Sequence, residues 1–310
     1  MGYELLTILA LCADILLGDP RNWPHPARLA GNLCILTETV LRKCRLNGIV
    51  GGLVQHVITN GSLIVLWMLL HRTANLLHPA LAFGVDVFVV YQCIALRDLD
   101  VHLRDVHRPL ERNDLPRARE ALSRVVGRDV ENLDGADISR AAVETIAEST
   151  VDAVIGPVFW TLVLGVPGAL LFRTSNTLDS IVGHRNERYE RFGKCAARVD
   201  DALAWLPARI FTFVSLLLGG NAGLQTIRTE AAQHASPNAG LPESLAAWQL
   251  NVRLGGTNFY HGEPVHGPTF NPQGQTPSAE TIPLALNWMW KRCLATAGIL
   301  ILLSTLPKLA

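Results

Sequence analysis

Hydrophobic and polar residues fall in long blocks along this chain. Apolar runs occupy Leu5–Leu17, Ile49–Leu70, Leu76–Leu96, Val154–Phe172, Leu206–Leu218 and Leu294–Leu306, separated by polar stretches at 18–48, 97–152, 173–205 and 221–290. A helix rises about 1.5 Å per residue, so about 20 residues cross roughly 30 Å of hydrocarbon. Ile49–Leu70 and Leu76–Leu96 reach that length, and the few residues between them, His71 and Arg72 included, predict an antiparallel helical hairpin. Leu5–Leu17 and Leu294–Leu306 are shorter and read as anchors; the first has neither the basic start nor the cleavage site of a signal peptide. His56 and Asp86 lie inside the long runs, where an ionisable group faces protein or a cavity.

The polar stretches carry their own patterns. Three prolines in Gly18–Gly31 predict a stiff, non-helical corner, and Asp19, Arg21, His25 and Arg28 there suit either an anion or a structured connection. Leu96, Leu99, Leu103, Val106 and Leu110 recur at helical spacing, a second helix is expected over Leu115–Val126, and a third opens near Asp137, with Asp137 or Ser139 as its cap. On that third helix Glu144, Glu148 and Asp152 stand at i, i+4 and i+8, three carboxylates on one face. Arg140 neutralises only part of that charge, so the pattern fits either a solvated acidic face or a divalent cation.

Gly165, Pro167 and Gly168 interrupt Val154–Phe172, and the polar stretches on either side are both rich in arginine. Arginine-rich loops tend to stay cytoplasmic, which predicts a re-entrant or hairpin segment there. Thr174–Trp205 crowds charges of both signs, Asp179, Arg185, Asn186, Glu187, Arg188, Asp200 and Asp201 among them, between two apolar blocks. Such a connection holds a polar site against a membrane-bound frame. The region to Pro283 reads as a long loop with one helical patch, Pro242–Leu250, and Pro264 breaks any zinc-protease geometry for His261, Glu263 and His266.

Composition narrows the class. Of 310 residues, 49% are hydrophobic and only 17% charged, with a mean hydropathy of +0.24, which favours an integral membrane protein. Lysine plus arginine and aspartate plus glutamate balance at 27 each, with no basic stripe to support nucleic-acid binding. Six scattered cysteines form no CxxC pair, which argues against zinc and disulfides. No Walker loop, dinucleotide fingerprint or nucleophile elbow is present.

The segments LLGDPRNWPHPARLAG, SRVVGRDVENLD, AVETIAESTVDAVIGPVFW, NTLDSIVGHRNERYERFG, ARVDDALAWLPAR and SPNAGLPESLAAWQLNVRLGGTNFYHGEP, in that order from Asp14 to about Pro283, resemble the CobD/CbiB family of cobalamin biosynthesis. Ser149, Ala153 and His184 depart from the family pattern, which often has Asn, Gly and Tyr there. The resemblance implies an all-α, polytopic inner-membrane protein, a single domain over residues 1–310 with a cytoplasmic helical insertion, a long polar loop region and a cytoplasm-facing site. It implies amide attachment of aminopropanol, or aminopropanol phosphate, to a propionate of adenosylcobyric acid, with ATP and Mg²⁺ activating the carboxylate as an acyl phosphate. The expected partners are those substrates, the lipid bilayer and other membrane-bound cobalamin-assembly enzymes.

By that resemblance Glu144, Glu148 and Asp152 hold Mg²⁺, with Glu144 and Glu148 also in the catalytic set. Arg185 and Arg188 clamp phosphate, Asn176 and Asp179 orient nucleotide or substrate, and Asp200 or Asp201 adds a metal contact or a base. His261 and Glu263 are alternative acid/base groups, and Glu187 joins the catalytic set. Asp19, Arg21, Arg28, Arg128, Asn186, Asn238 and Tyr260 join the substrate-binding set. The alternatives are an AmpE-like inner-membrane regulator and a non-catalytic corrinoid-binding scaffold.

Overall fold

The first apolar run is helix α1 (Tyr3–Leu17) in this computed structural model, which describes residues 2–20, 23–184, 186–220 and 222–306. The corner after it is shorter than its prolines predict. Pro26 opens α2 (Pro26–Lys43), and His25 caps it by accepting the Ala27 N–H on Nδ1 at 3.1 Å, so Arg28 and Gly31 are helical. Proline lacks only a donor that the first turn leaves unpaired in any case, and so starts this helix instead of blocking it.

The expected hairpin of long helices forms from α3 (Ile49–Leu77) and α4 (Pro79–Tyr91), which pack on each other. Its turn lies at His78, and His71 and Arg72 stay helical within α3. The stop comes from Pro79, which pushes the preceding residue out of helical backbone: His78 has φ −165° and ψ 137°.

Helices α5 (Leu96–Glu111) and α6 (Leu115–Leu122) follow the amphipathic pattern, although α6 ends before Val126. Helix α7 (Gly135–Thr150) starts earlier than expected, because Asp134, and neither Asp137 nor Ser139, is the cap: its Oδ1 accepts the Asp137 N–H at 2.8 Å. A π-helical turn, Val151–Ile155, leads into α8 (Gly156–Leu164), and α9 (Val166–Val182) follows Gly165, whose φ is 68°. A Cβ on Gly156 would meet the Phe172 ring at 2.0 Å, and one on Gly168 the Trp160 carbonyl oxygen at 2.2 Å. Pairing 156 with 172 and 160 with 168 makes α8 and α9 a close antiparallel hairpin, in the segment where the sequence predicts one.

After α10 (Lys194–Leu217) the long polar region is more ordered than its composition predicts. It contains α11 (Leu224–Ala231), α12 (Gly240–Gln249) and a hairpin of β1 (Leu254–Tyr260) and β2 (Glu263–Phe270), before α13 (Thr281–Thr305). The strands pair antiparallel from Leu254 opposite Phe270 to Tyr260 opposite Glu263, around His261 (φ 53°) and Gly262 (φ 81°). Pro264 and Pro268 count against a central strand, but a two-stranded ribbon is all edge and tolerates them.

The chain divides into two compact units, Met1–Ala95 with Asp152–Ala204 and Ile299–Ala310, and Leu96–Val151 with Trp205–Gly298. In the first, α2, α3 and α9 pack pairwise around Ala30, Cys34, Leu63, Leu178 and Val182. In the second, α5, α6, α12 and β1 all pack on α7, whose Ile138, Val143 and Ile146 are fully buried. Among the described residues, three helical stretches are long and apolar enough to cross a membrane: Ile49–Leu77, Pro79–Glu111 and Gly135–Leu164.

The α8–α9 register makes a direct prediction. Gly156→Ala forces a methyl into the Phe172 ring and lowers stability by about 1–3 kcal/mol, read as a lower thermal midpoint of the detergent-purified protein. Phe172→Leu in the same chain recovers most of the loss. An unchanged midpoint in Gly156→Ala alone would show that the two helices do not meet in this register.

Candidate functional site

In the second unit the acidic face of α7 is met by arginine. Glu144, its side chain 3% exposed, accepts Arg128 Nη1 on Oε2 at 2.6 Å, and Arg140 Nη1 at 3.2 Å and the Gly255 N–H at 2.7 Å on Oε1. Asn258 Oδ1 accepts from both guanidinium groups, at 2.9 and 3.0 Å. A carboxylate has about four acceptor sites, and here three are taken by charged or backbone donors. Glu144 is therefore committed to binding β1 and the Arg128 turn to α7, and has little left for a metal.

Glu148, one turn on, is exposed to solvent. Its charge and that of Glu144 act on Glu243 of α12, whose pKa is raised well above the usual carboxylate range, first by burial and then by these two neighbours, with Arg128 opposing. His234 Nε2 lies 3.6 Å from Glu243 Oε1. The hairpin tip is held by its backbone: the His261 and Gly262 N–H groups donate to the two oxygens of Asp129 at 3.1 and 2.7 Å. The side chains of Tyr260, His261 and Glu263 are exposed beside it.

The first unit holds a different kind of cluster. Asp152 from the π turn, Asn176 and Asp179 from α9, and Asp200 and Asp201 from α10 come together there. Asn176 Nδ2 donates to Asp152 Oδ2 at 3.0 Å. Asp200 is 9% exposed, and its Oδ1 is buried with no hydrogen-bond partner. Burial first, then the charges of Asp152 and Asp179, push its pKa up to about 8; the Asn176 amide opposes this and Asp201 adds to it. Asp179 is likewise raised, by burial and then by Asp201, with His184 opposing. A Cβ on Gly183 would stand 1.9 Å from Asp179 Oδ1, so this carboxylate lies directly against the chain at the end of α9.

A cluster in which burial and then mutual repulsion keep one member protonated near neutral pH suits a cation. Among the described residues no three His, Cys, Asp or Glu side chains are arranged to hold one metal ion. Mg²⁺, however, takes one or two protein carboxylates and completes its shell with water and phosphate oxygens. Asp152 and Asp200, with the bare Oδ1 of the latter, meet that requirement.

The remaining predicted residues divide between structural roles and open surface. Arg188 Nη2 and Nε donate to Glu38 Oε1 on α2 at 2.8 and 3.1 Å, and Arg42 Nε donates to the same oxygen at 2.7 Å. Glu38 is buried, yet the two arginines outweigh the effect of burial and hold its pKa below the usual value. Arg188 thus ties the loop after α9 to α2, and Asn186 Oδ1 closes a turn of that loop by accepting the Tyr189 N–H at 3.0 Å. Glu187 is exposed. Arg21 and Arg185 lie outside the described residues. At the corner, Asp19 Oδ2 is 3.6 Å from His25 Nε2, and Arg28 donates to the Trp23 carbonyl. Asn238 Oδ1 accepts Arg209 Nη1 at 3.1 Å. The ionisable residues inside the long runs are bonded too: Asp86 Oδ1 accepts from Trp67 Nε1 and His71 Nδ1, each at 2.8 Å, and His56 Nε2 meets Ser175 Oγ at 3.2 Å.

Glu38, Glu243 and Asn258 escape a reading of the sequence alone. Glu243 and Asn258 stand inside conspicuous segments, LPESL and GGTNFYHGEP, yet nothing in their spacing announces a partner. Glu38 sits 150 residues before Arg188.

Residues 7–289 match the model of the family described as CobD/Cbib protein. The chain is 38% identical to a cobalamin biosynthesis protein CobD of Klebsiella pneumoniae, over 92% of this chain and 93% of that one. It is 36% identical to the cobalamin biosynthesis protein CbiB of Salmonella typhimurium (96% and 97% covered), and 40% identical to a cobalamin biosynthesis protein CobD of Geobacter metallireducens (85% of each). No solved structure matches. With the family's description covering all but the ends of the chain, and relatives this similar over almost their full length, the chain belongs to the CobD/CbiB family.

Proposed function

We propose that this protein acts in cobalamin biosynthesis as an amide-forming ligase of the adenosylcobinamide-phosphate synthase type. It joins aminopropanol or aminopropanol phosphate to a propionate of adenosylcobyric acid. The observation that carries the site assignment is the aspartate cluster of the first unit, with the orphaned, buried Oδ1 of Asp200. Forming an amide from a carboxylate and an amine in water is uphill, so the carboxylate needs activation. Phosphoryl transfer from ATP gives ADP and an acyl phosphate; the amine nitrogen then attacks the acyl carbon, phosphate leaves and the nitrogen gives up a proton.

Asp152 and Asp200 would hold Mg²⁺, which neutralises phosphate charge and so supports in-line transfer. Asn176 stands between these two carboxylates and fixes the rotamer of Asp152 through its 3.0 Å hydrogen bond. Asp179, its pKa raised by burial and by Asp201, is poised to take the amine proton. The second unit has its own carboxylate set, in which Glu148 and Glu144 act on the buried Glu243 and Arg128 bonds Glu144.

Purified protein given adenosylcobyric acid, aminopropanol phosphate, Mg²⁺ and ATP makes the amide only with ATP present, and Asp200→Asn lowers turnover by about 100-fold or more. With no proton to take up on folding, the same variant is more stable. Asp200 keeps its proton to about pH 8 in the folded chain but releases it near 4 when unfolded, so in chelator the native protein loses stability as pH rises between those values. Asp200→Asn therefore melts several degrees higher than the parent at pH 7.5 in chelator. Full activity in Asp200→Asn would remove the aspartate cluster from the chemistry.

Metal binding carries its own pH signature. A cation must displace the Asp200 proton, so Mn²⁺ affinity, followed by the free-ion electron paramagnetic resonance signal, rises about tenfold per pH unit up to about 8 and then levels. A flat profile from pH 6 to 9 would show that Asp200 is not a ligand.

A further inference from the structure

In the second unit a cavity of about 790 Å³ opens between the apolar half of α10, helix α11 and the loop before α12. Trp205, Phe213, Leu224 and Leu241 supply apolar wall, and Arg209 and Arg228 both line it; no Asp or Glu does. Arg209 is held in place. Its guanidinium carbon sits 4.1 Å from the Trp205 ring centroid, and Nη1 donates to the Trp205 carbonyl at 2.8 Å and to Asn238 Oδ1 at 3.1 Å. Arg228 projects from α11 with no hydrogen bond or ion pair for its guanidinium among the described residues.

Two like charges sharing a cavity with no acidic wall call for an anion, and two guanidinium groups fit phosphate oxygens better than an ammonium would. The surroundings specify what carries it. Trp205, Leu206, Phe213, Leu217, Leu218 and Leu224 are all exposed, a continuous apolar surface next to the charged pair. From Trp205 the rest of α10 is largely apolar, but its 13 residues rise only about 20 Å, short of a full crossing. Tryptophan and arginine where a helix turns apolar are the side chains of a membrane–water boundary. The geometry points to the headgroup phosphate of an anionic phospholipid, seated between Arg209 and Arg228 with its acyl chains along Phe213 and Leu217.

The test uses full-length protein in nanodiscs carrying brominated phosphatidylglycerol or brominated phosphatidylcholine. The chain has seven tryptophans, so Trp205→Phe serves as the reference and the difference isolates quenching at Trp205. Quenching by phosphatidylglycerol is expected at several-fold lower lipid fraction than by phosphatidylcholine. Arg228→Gln, which breaks no contact within the chain, shifts the phosphatidylglycerol curve about fivefold toward weaker binding and leaves the thermal midpoint unchanged. Equal quenching by the two lipids, or an Arg228→Gln curve on top of the parent, overturns the site. If millimolar glycerol 3-phosphate displaces the lipid signal with the same Arg228 dependence, the cavity serves a soluble phosphate and the lipid assignment fails.

Discussion

Glu144 lies between two arginines in the packed interior of the second unit, and the cost of burying any one of these three charges alone fixes what must surround them. Removing one partner from such a cluster typically costs about 3–5 kcal/mol, because a buried charge is left uncompensated. Arg128 belongs to the turn after α6, Arg140 and Glu144 to α7, and the Gly255 N–H and Asn258 to β1. None of these segments can shift without breaking a charge-assisted bond. A ribbon of two strands is only marginally stable by itself. Here its inner end is anchored to Glu144 and its outer end to Asp129, which is how a proline-bearing hairpin persists.

The same device recurs in the first unit, where Glu38 collects Arg42 and Arg188, and it is missing from the aspartates a short way along the chain. That contrast separates scaffold from chemistry. Glu38 and Glu144 each accept from two arginines, and so bind their elements together. Asp200 faces three other carboxylates, and can sit in the fold only by keeping its proton. Buried charge that the fold leaves uncompensated marks a place where a ligand completes the set, and natural sequences tolerate such local conflict mainly at functional sites. Protonation lets the chain fold with these carboxylates side by side.

What the sequence discloses and what it hides follow from the range of each interaction. The α3–α4 hairpin, the amphipathic α5 and the break at Gly165 are local matters of period, proline and glycine, and residues 49–111 and 165–168 show them openly. Caps and turns are local too, but several candidates compete within one turn: Asp134, Asp137 and Ser139 could each open α7, and only the backbone decides. The charge clusters are not local. Glu144, Glu148 and Asp152 share a helical face on paper, yet Glu144 is bonded by residues 128, 140 and 255 and Asp152 by residue 176, and the π turn at Val151–Ile155 separates the two. Arg188 in RNERY looks like a phosphate clamp because its partner, Glu38, lies far back in the chain. Composition misled over the polar region as well, since glycine and proline at 254–270 serve a two-stranded hairpin.

Length and hydropathy qualify three helical stretches to cross a membrane, but burial distinguishes among them. In Gly135–Leu164, 61% of the most apolar window is already inside the protein, and that stretch contains the Arg140–Glu144 pair. In Ile49–Leu77 only 28% is buried, and Leu53, Val57, Leu69, Leu70, Leu76 and Leu77 all face outward. Apolar side chains exposed in such number along one helix are uncommon in a water-soluble monomer. Four of the helix's polar residues, Gln55, His56, Thr59 and Asn60, are buried, with Gln55 bonded to the Cys34 carbonyl and His56 to Ser175. A segment that turns such residues inward and its apolar side chains outward reverses the pattern water selects, and hydrocarbon is the solvent in which that arrangement is favourable. The apolar residues of α7 are used up in holding the second unit together, whereas those of α3 are left for lipid.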